Sequence, residues 1–137
     1  METNELNAIL KAHKKWLNND YDGIRANLRR ADLCRANLCG ADLCEADLRG
    51  ADLCGADIDY ASWPLWCSSL RAYVDDRIAI QLLYHTLSVV QHSPYVSDEI
   101  KRVLLDDANI TIANRFHHID ECGKLNTYRQ IGQESKT

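Results

Sequence analysis

The chain has 137 residues, of which 46% are hydrophobic, and this size and composition are typical of one compact globular unit. No apolar run approaches the ~18–20 residues of a membrane span, and the N-terminus lacks the charged-then-apolar pattern of a signal peptide. The net charge is −4, which argues against a nucleic-acid-binding protein, since that class needs a basic stripe. We therefore expect a cytoplasmic protein whose direct partner is neither a membrane nor a nucleic acid.

An amphipathic helix is predicted over residues 4–18, with Thr3 as its N-terminal cap. Its apolar positions recur every three or four residues and are Leu6, Ile9, Leu10, His13, Trp16 and Leu17. This stripe is expected to cover the open first turn of the repeated segment that follows. His13 lies on the stripe, and we interpret it as a packed histidine rather than a ligand or a catalyst.

From Ala26 to Tyr60 the sequence repeats every five residues. Each unit has Ala first, Asp or Asn second and Leu or Ile third, while the fourth and fifth positions vary. The seven units begin at Ala26, Ala31, Ala36, Ala41, Ala46, Ala51 and Ala56. A period of five matches neither the 3.6 residues of a helical turn nor the 2.0 of a strand. It indicates a solenoid in which each unit forms one side of a square coil, with the apolar residues inside.

The seven units in unbroken register resemble the pentapeptide-repeat family. The resemblance implies a right-handed quadrilateral β-helix with four units in each coil. The predicted fold class is therefore mixed α and β: a short β-helix of about two coils, capped by the N-terminal helix and followed by a C-terminal helical segment. The predicted divisions are 1–22 for the capping helix, 23–66 for the β-helix, 67–124 for the helical segment and 125–137 for a polar tail.

Four of the six cysteines occupy the fourth position of the repeat, and they are Cys34, Cys39, Cys44 and Cys54. The resemblance places this position on the outside, with Cys34 and Cys54 on one face, one coil apart. A coil spacing of ~4.7–4.9 Å would permit a disulfide, but a reducing cytosol predicts free thiols. We interpret these cysteines as small residues in stacked columns, with a redox or metal function as the alternative.

Three helices are predicted after the repeat, where Pro64 ends the register. The first spans about residues 75–91, Ser97 caps the second, and the third spans about residues 108–118. Beyond Lys124 the chain is polar, and we expect a frayed tail there.

One group of residues in the C-terminal part could carry chemistry. Cys67, His85, His117 and Cys122 supply the ligand types of a tetrahedral zinc site, provided that the fold brings them together. A Cys–His nucleophilic pair is a second interpretation. The third, which we favour, is ordinary packing of small cysteines and hydrogen-bonded histidines. We expect a protein that is not an enzyme and has no cofactor, with structural zinc at this group as the alternative.

The outward positions of the repeat form a candidate interaction surface. Its acidic members are Asp32, Asp42, Glu45, Asp52 and Asp57, and Asp32 is expected to stack over Asp52. One interpretation is an acidic face that imitates DNA phosphates. The other, which we favour, is that Asp or Asn at this position bonds the turn backbone. A basic patch of Arg25, Arg29, Arg30 and Arg35 interrupts the acidity and suits an acidic partner or a nucleotide-type ligand, if it has a role at all.

The ends of the chain extend the resemblance to short pentapeptide-repeat proteins of phages and prophages. The matching segments are Leu6 to Asn18 before the repeat, and Pro64 to Cys67, Gln81 to His85, Ala113 to His117 and Glu121 to Gly123 after it. Better-known family members mimic DNA and bind type II topoisomerases, with longer solenoids. We predict a phage or mobile-element protein that binds and inhibits a host protein, such as a defence nuclease or a topoisomerase, in the host cytoplasm. A small-molecule or metal-binding module centred on the helical tail and a structural adaptor are the alternatives, and self-association is left open.

Overall fold

The computed structural model describes residues 1–65 and 67–134. The chain divides into two compact units, Met1–Asp75 and Asp76–Thr137. Within the described residues there are six α-helices and one short 3-10 helix. Trp66, the last residue of the predicted division 23–66, lies outside the described residues. The four divisions expected from the sequence stay a prediction.

The first unit begins with helix α1, Thr3–Leu17, one residue away from the predicted range at each end. The prediction that Thr3 caps it is wrong, because Glu2 is the cap residue and makes no side-chain cap bond. Lys14 and Lys15 lie in the last turn, where positive charge is favoured by the helix dipole. The helix buries Leu6 and His13, so the predicted apolar stripe is the face that packs.

Each five-residue unit ends in a tight turn. The N–H of the first residue of a unit donates to the C=O of the third residue of the unit before, as in the 3.1 Å bond from Ala31 to Leu28. The turn requires a positive φ at the fifth position, as a type II turn does at its third residue. Positive φ values between 57° and 73° occur at Arg30, Arg35, Gly40, Glu45, Gly50, Gly55 and Tyr60.

The units stack on one another with an offset of 20 residues, through single parallel bridges such as Asn27 to Asp47 and Asp32 to Asp52. The bridge from Asn27 to Asp47 carries two backbone bonds, since Leu28 N–H donates to Asp47 C=O at 2.8 Å and Asp47 N–H donates to Ala26 C=O at 2.9 Å. The third residues of the units point inward and are at most 5% exposed; they are Leu28, Leu33, Leu38, Leu43, Leu48, Leu53 and Ile58. Their burial is the main stabilising contribution of this segment, at about 1.5–3 kcal/mol for each large side chain.

The predicted fold class, a quadrilateral β-helix of about two coils within a mixed α and β fold, is wrong. Residues 1–65 and 67–134 contain no β-strand and no sheet, and their regular elements are helices. The physical reason is the length of the side: one bridged residue in each unit is followed at once by a turn, so consecutive bridges do not join into a ladder. The repeat is therefore a stack of turns joined by isolated bridges, which we call the repeat segment, residues 26–62.

The stack continues past the end of the repeated sequence. A 3-10 helix, Cys67–Ser69, follows, and the C=O of Ser68 accepts from Leu48 N–H at 2.7 Å. Tyr73 then bridges to Asp52, and its N–H donates to Ala51 C=O at 2.7 Å. Pro64 thus ends the sequence pattern but not the stacking of the chain.

The second unit is helical. Its helices are α2 (Asp76–His92), α3 (Asp98–Leu104), α4 (Asp107–Ala113), α5 (Ile119–Cys122) and α6 (Tyr128–Glu134). The predicted helix 75–91 is confirmed as α2, and Ser97 does cap α3, since its hydroxyl accepts from Ile100 N–H. The predicted helix 108–118 is too long, because α4 ends at Ala113 and Asn114 caps it.

The expectation of a frayed tail beyond Lys124 is also wrong. Leu125 is 4% exposed and belongs to the core of the second unit, with Tyr84, Leu87, Leu105 and Phe116. The side chain of Asn114 holds Leu125 at both backbone groups, accepting from its N–H at 2.8 Å and donating to its C=O at 3.0 Å. Helix α6 follows, because this anchor brings the polar segment back onto the core.

Candidate functional site: the outer surface of the repeat segment

The second position of every unit bonds its own turn. The Oδ1 atom accepts from the backbone N–H two residues later at 3.0–3.2 Å in all seven units, namely Asn27, Asp32, Asn37, Asp42, Asp47, Asp52 and Asp57. The favoured interpretation of this position is therefore confirmed. Asp and Asn are equivalent for the turn, so the choice of Asp adds negative charge that the backbone does not require.

Asp32 and Asp52 form the acidic column of the repeat segment, because they face one another in a parallel bridge. Bonds from the backbone N–H groups of Cys34 and Cys54 lower the pKa of Asp32 and Asp52 respectively. Both carboxylates are therefore charged at neutral pH. The amino group of Met1 donates to the C=O of Asp32 at 2.9 Å, and its positive charge also lowers the pKa of this carboxyl.

Two cysteine thiols lie in the acidic column. A hydrogen bond to Asp52, with burial and Asp32 adding to it, raises the pKa of Cys34 to about 11, and a bond to Asp52 also raises the pKa of Cys54. All four repeat cysteines are exposed, as predicted, and all are free thiols. The carboxylates keep these two thiols protonated, so the column is negative through its carboxylates and not through thiolates.

The other acidic candidates lie on different sides of the repeat segment. Asp42 faces Ser62, whose hydroxyl donates to it at 2.6 Å and lowers its pKa, whereas Asp57 faces Asn37. Glu45 occupies a corner with a positive φ of 61°. Each step of one unit turns the chain to the next side, so the structure brings together only Asp32 and Asp52 of this set.

Four arginines line one groove of the first unit, which we call the arginine groove. They are Arg29, Arg30, Arg49 and Arg71, and the groove has a volume of about 570 Å³. Arg49 forms a bidentate ion pair with Asp47: Nε donates to Oδ1 at 2.8 Å, and Nη2 donates to Oδ2 at 2.5 Å. This pair, with a contribution from Arg29, lowers the pKa of Asp47 to about 2.

The basic patch expected from the sequence is divided by the structure. Arg29 and Arg30 line the arginine groove, but Arg35 lines a different groove beside α1. Arg25 donates to the C=O of Glu45 at 2.6 Å and lies 6.0 Å from the ring of Trp16. The basic patch predicted from the sequence omitted Arg49, although Arg49 follows Arg29 by 20 residues, which is the stacking offset.

The predicted metal group is spread over both units. Cys67 belongs to the first unit and is exposed. In the second unit the rings of His85 and His117 lie 5.3 and 4.8 Å from that of Phe116, and Cys122 is exposed. The observed contacts of the two histidines include aromatic packing and a 3.4 Å approach of His117 Nε2 to Arg77 Nη1. A metal ion held by Cys67, His85, His117 and Cys122 stays a prediction.

A fully buried histidine joins α1 to the repeat segment. Nδ1 of His13 accepts from Ala26 N–H at 3.1 Å, and the ring lies 2.9 Å from Cys44 C=O through Nε2. Because a backbone N–H can only donate, Nδ1 carries no proton and Nε2 donates to the carbonyl. The interpretation of His13 as a packed residue is confirmed.

Comparison with known proteins bears on the repeat segment. The family model described as pentapeptide repeats matches residues 24–58, in eight copies. Residues 24–58 are pentapeptide repeats. The match covers about a quarter of the chain and supports the family resemblance, and such repeats suggest a protein-interaction or structural module. No curated protein and no solved structure matches the chain. Among the described helices, none has the length and apolarity needed to cross a bilayer.

Proposed function

We propose that this pentapeptide-repeat protein is a non-enzymatic module of phage or mobile-element type that binds and inhibits a host protein. The target class is an enzyme with a basic nucleic-acid-binding surface, such as a defence nuclease or a topoisomerase, in the host cytoplasm. The acidic column would occupy that surface in place of phosphates.

The observation that carries the proposal is the pair of ionised carboxylates, Asp32 and Asp52, in register across adjacent layers. Their lowered pKa values keep both negative at neutral pH, and the neighbouring thiols stay neutral. A surface that binds nucleic acid is built from Lys and Arg and attracts any regular array of negative charge. The turn bond uses only the Oδ1 atom of each carboxylate, and the thiols of Cys34 and Cys54 also bond to Asp52. Because an ionised carboxylate has about four lone-pair sites, acceptor sites remain for such a partner.

The column is short, and this sets the expected strength of the interaction. Two carboxylates replace few phosphates, so the proposal requires contacts from the rest of the surface as well. Opposite charges on a protein surface mainly raise the rate of association and fix the orientation of the partners. We therefore expect binding that weakens as salt rises, because charges further apart than ~8 Å are screened at physiological ionic strength.

The test uses an isosteric change in place of charge reversal. In the double variant Asp32→Asn, Asp52→Asn the turn bonds remain, because Asn27 and Asn37 already make them at this position. The matched control is Asp42→Asn, Asp57→Asn, which removes the same charge from two other sides of the repeat segment.

Immobilised protein is incubated with bacterial lysate, retained proteins are identified by mass spectrometry, and binding of the purified target is then measured. The expected result is a nucleic-acid enzyme that is retained by the wild type and the control but lost with Asp32→Asn, Asp52→Asn. Equal retention by both double variants would refute the role of the acidic column. Loss on His117→Ala alone would place the working surface in the second unit.

A further inference from the structure

The arginine groove concentrates positive charge that the protein balances only in part, through Asp47, which pairs with Arg49 and interacts more weakly with Arg29. In the described part of the first unit, Asp47 pairs with Arg49, and no carboxylate oxygen lies within 4.0 Å of the guanidinium groups of Arg29, Arg30 or Arg71. Stacking places Arg29 one layer from Arg49, so like charges are brought together by the 20-residue offset. Such crowding is unfavourable until an anion enters, and the groove is therefore complementary to negative charge.

We propose that the arginine groove binds a phosphate-bearing small molecule of the nucleotide type. The planar guanidinium group donates two parallel hydrogen bonds to two oxygens of a phosphate group. A volume of about 570 Å³ accommodates a ligand of this size, since small-molecule pockets span about 300–1,000 Å³.

The uncharged wall of the groove selects the rest of the ligand. Tyr73 and Leu70 line it and are 64% and 59% exposed, so a flat apolar face lies beside the arginines. An aromatic side chain next to positive charge is the combination that binds a base and its phosphates together. This wall favours a nucleotide over a simple inorganic anion.

The turn beneath Arg30 favours glycine. Gly50 has a φ of 71°, which other residues adopt with strain. A Cβ atom at this position would reach only ordinary van der Waals contact with the Cγ of Arg30, at 3.4 Å, so the turn and not the available space favours glycine.

The repeat supplies a matched pair of variants. Arg30 and Arg35 occupy the same position of successive units, with φ values of 57° and 58°. Each lies over a glycine: a Cβ atom built on Gly50 would lie 3.4 Å from the Cγ of Arg30, and one built on Gly55 would lie 3.3 Å from the Cγ of Arg35. Of these two arginines, only Arg30 lines the arginine groove. Replacement by Gly suits the positive φ in both cases, so Arg30→Gly and Arg35→Gly remove equal charge with the same effect on the turn.

Isothermal titration calorimetry on the full chain at low ionic strength, with ADP, inorganic pyrophosphate and adenosine as probes, tests the proposal. We expect saturable ADP binding with a Kd of about 1 mM or tighter. Pyrophosphate should bind about tenfold more weakly and adenosine not measurably, because the phosphates supply the charge and the base adds stacking. Arg30→Gly should weaken ADP binding at least about tenfold, while Arg35→Gly changes it less than about twofold. Tyr73→Ala should weaken ADP binding and leave pyrophosphate binding unchanged.

Three results would overturn the proposal. These are the absence of saturable ADP binding, equal losses in Arg30→Gly and Arg35→Gly, and an ADP affinity that Tyr73→Ala does not alter. Circular dichroism melts of each variant show that it is folded, and Tyr73→Ala is expected to fold because Tyr73 contributes its backbone to the stack and its side chain is exposed. None of the three variants replaces a carboxylate of the acidic column, and Tyr73 bridges Asp52 only through backbone bonds that Tyr73→Ala retains, so this result is independent of the proposed function.

Discussion

Replacing Asp52 with Asn should make Cys34 react faster with alkylating reagents. The carboxylate of Asp52 accepts a hydrogen bond from the Cys34 thiol and is the largest cause that raises its pKa from the ordinary 9.0 to about 11. A carboxylate opposes formation of a neighbouring thiolate, so removing its charge lowers the thiol pKa. Asparagine keeps the turn bond to Cys54 N–H, because Asn27 and Asn37 make the same bond in their own units.

The size of the effect follows from the thiolate fraction. At about pH 8 a thiol of pKa about 11 is about 0.1% ionised, whereas one of pKa 9.0 is about 9% ionised, a difference of nearly a hundredfold. A more basic thiolate is intrinsically the better nucleophile, with a Brønsted slope of about 0.4–0.5, which recovers about six- to tenfold. The net increase in the Cys34 rate therefore has an upper limit of about tenfold, because burial and Asp32 also raise this pKa and remain in the variant.

The assay is pulsed alkylation with iodoacetamide, followed by proteolysis and mass spectrometry of each cysteine peptide. Cys54 should also accelerate, since Asp52 is the largest cause of its raised pKa. The control is Asp57→Asn, which removes one charge at the same repeat position on another side and should leave Cys34 unchanged. An alkylation rate of Cys34 in Asp52→Asn that stays within about twofold of the wild-type rate would refute the hydrogen bond between the Cys34 thiol and the Asp52 carboxylate.

Three further predictions concern stability. His13→Ala should lower the free energy of unfolding by about 3–5 kcal/mol in urea denaturation, because it leaves the buried Ala26 N–H and the partly buried Cys44 C=O without their partner and opens a cavity. A loss below about 1 kcal/mol would contradict the pairing. Leu43→Ala should lower the free energy of unfolding by about 2–5 kcal/mol in the same measurement, since Leu43 is 0% exposed. An equal loss for Cys39→Ala, at an exposed position, would mean that the inward and outward positions of the repeat are misassigned. The pKa of Asp47 is lowered from 3.8 to about 2, so its ion pair with Arg49 stabilises the fold fully above about pH 4 and is lost as the pH falls towards 2. The difference in the free energy of unfolding between wild type and Asp47→Asn should therefore shrink from about pH 4 to about pH 2. A difference that stays constant over this interval would show that the ion pair is not responsible.

Local features of the repeat were predictable because a strict period repeats the same turn. The burial of Leu33 and its equivalents, the exposure of Cys34 and its equivalents, and the bond from Asp or Asn to the turn each depend on five consecutive residues. The limits of α2 and the cap at Ser97 were predictable for the same reason, since capping and apolar spacing act within a few residues.

The fold class could not be obtained in this way. The period of five indicates stacking but not how long each side remains extended, and the observed sides are too short to form strands. The frayed tail expected from the polar sequence after Lys124 was also wrong. The position of this segment depends on Asn114, eleven residues before Leu125, whose side chain holds Leu125 on the core.

The sequence by itself determined which residues of the repeat face inward, which face outward, and which bond the turns, because those properties follow from the order of five residues. The family resemblance already predicted that Asp32 stacks over Asp52, whereas only the tertiary structure decided which residues from outside the repeat lie beside the outward side chains. Stacking sets Asp32 against Asp52 and Arg29 against Arg49, and it adds Arg71 and Tyr73 from a segment that carries no repeat at all. Contacts between layers depend on distant parts of the chain, so the acidic column and the arginine groove exist only once the layers have formed.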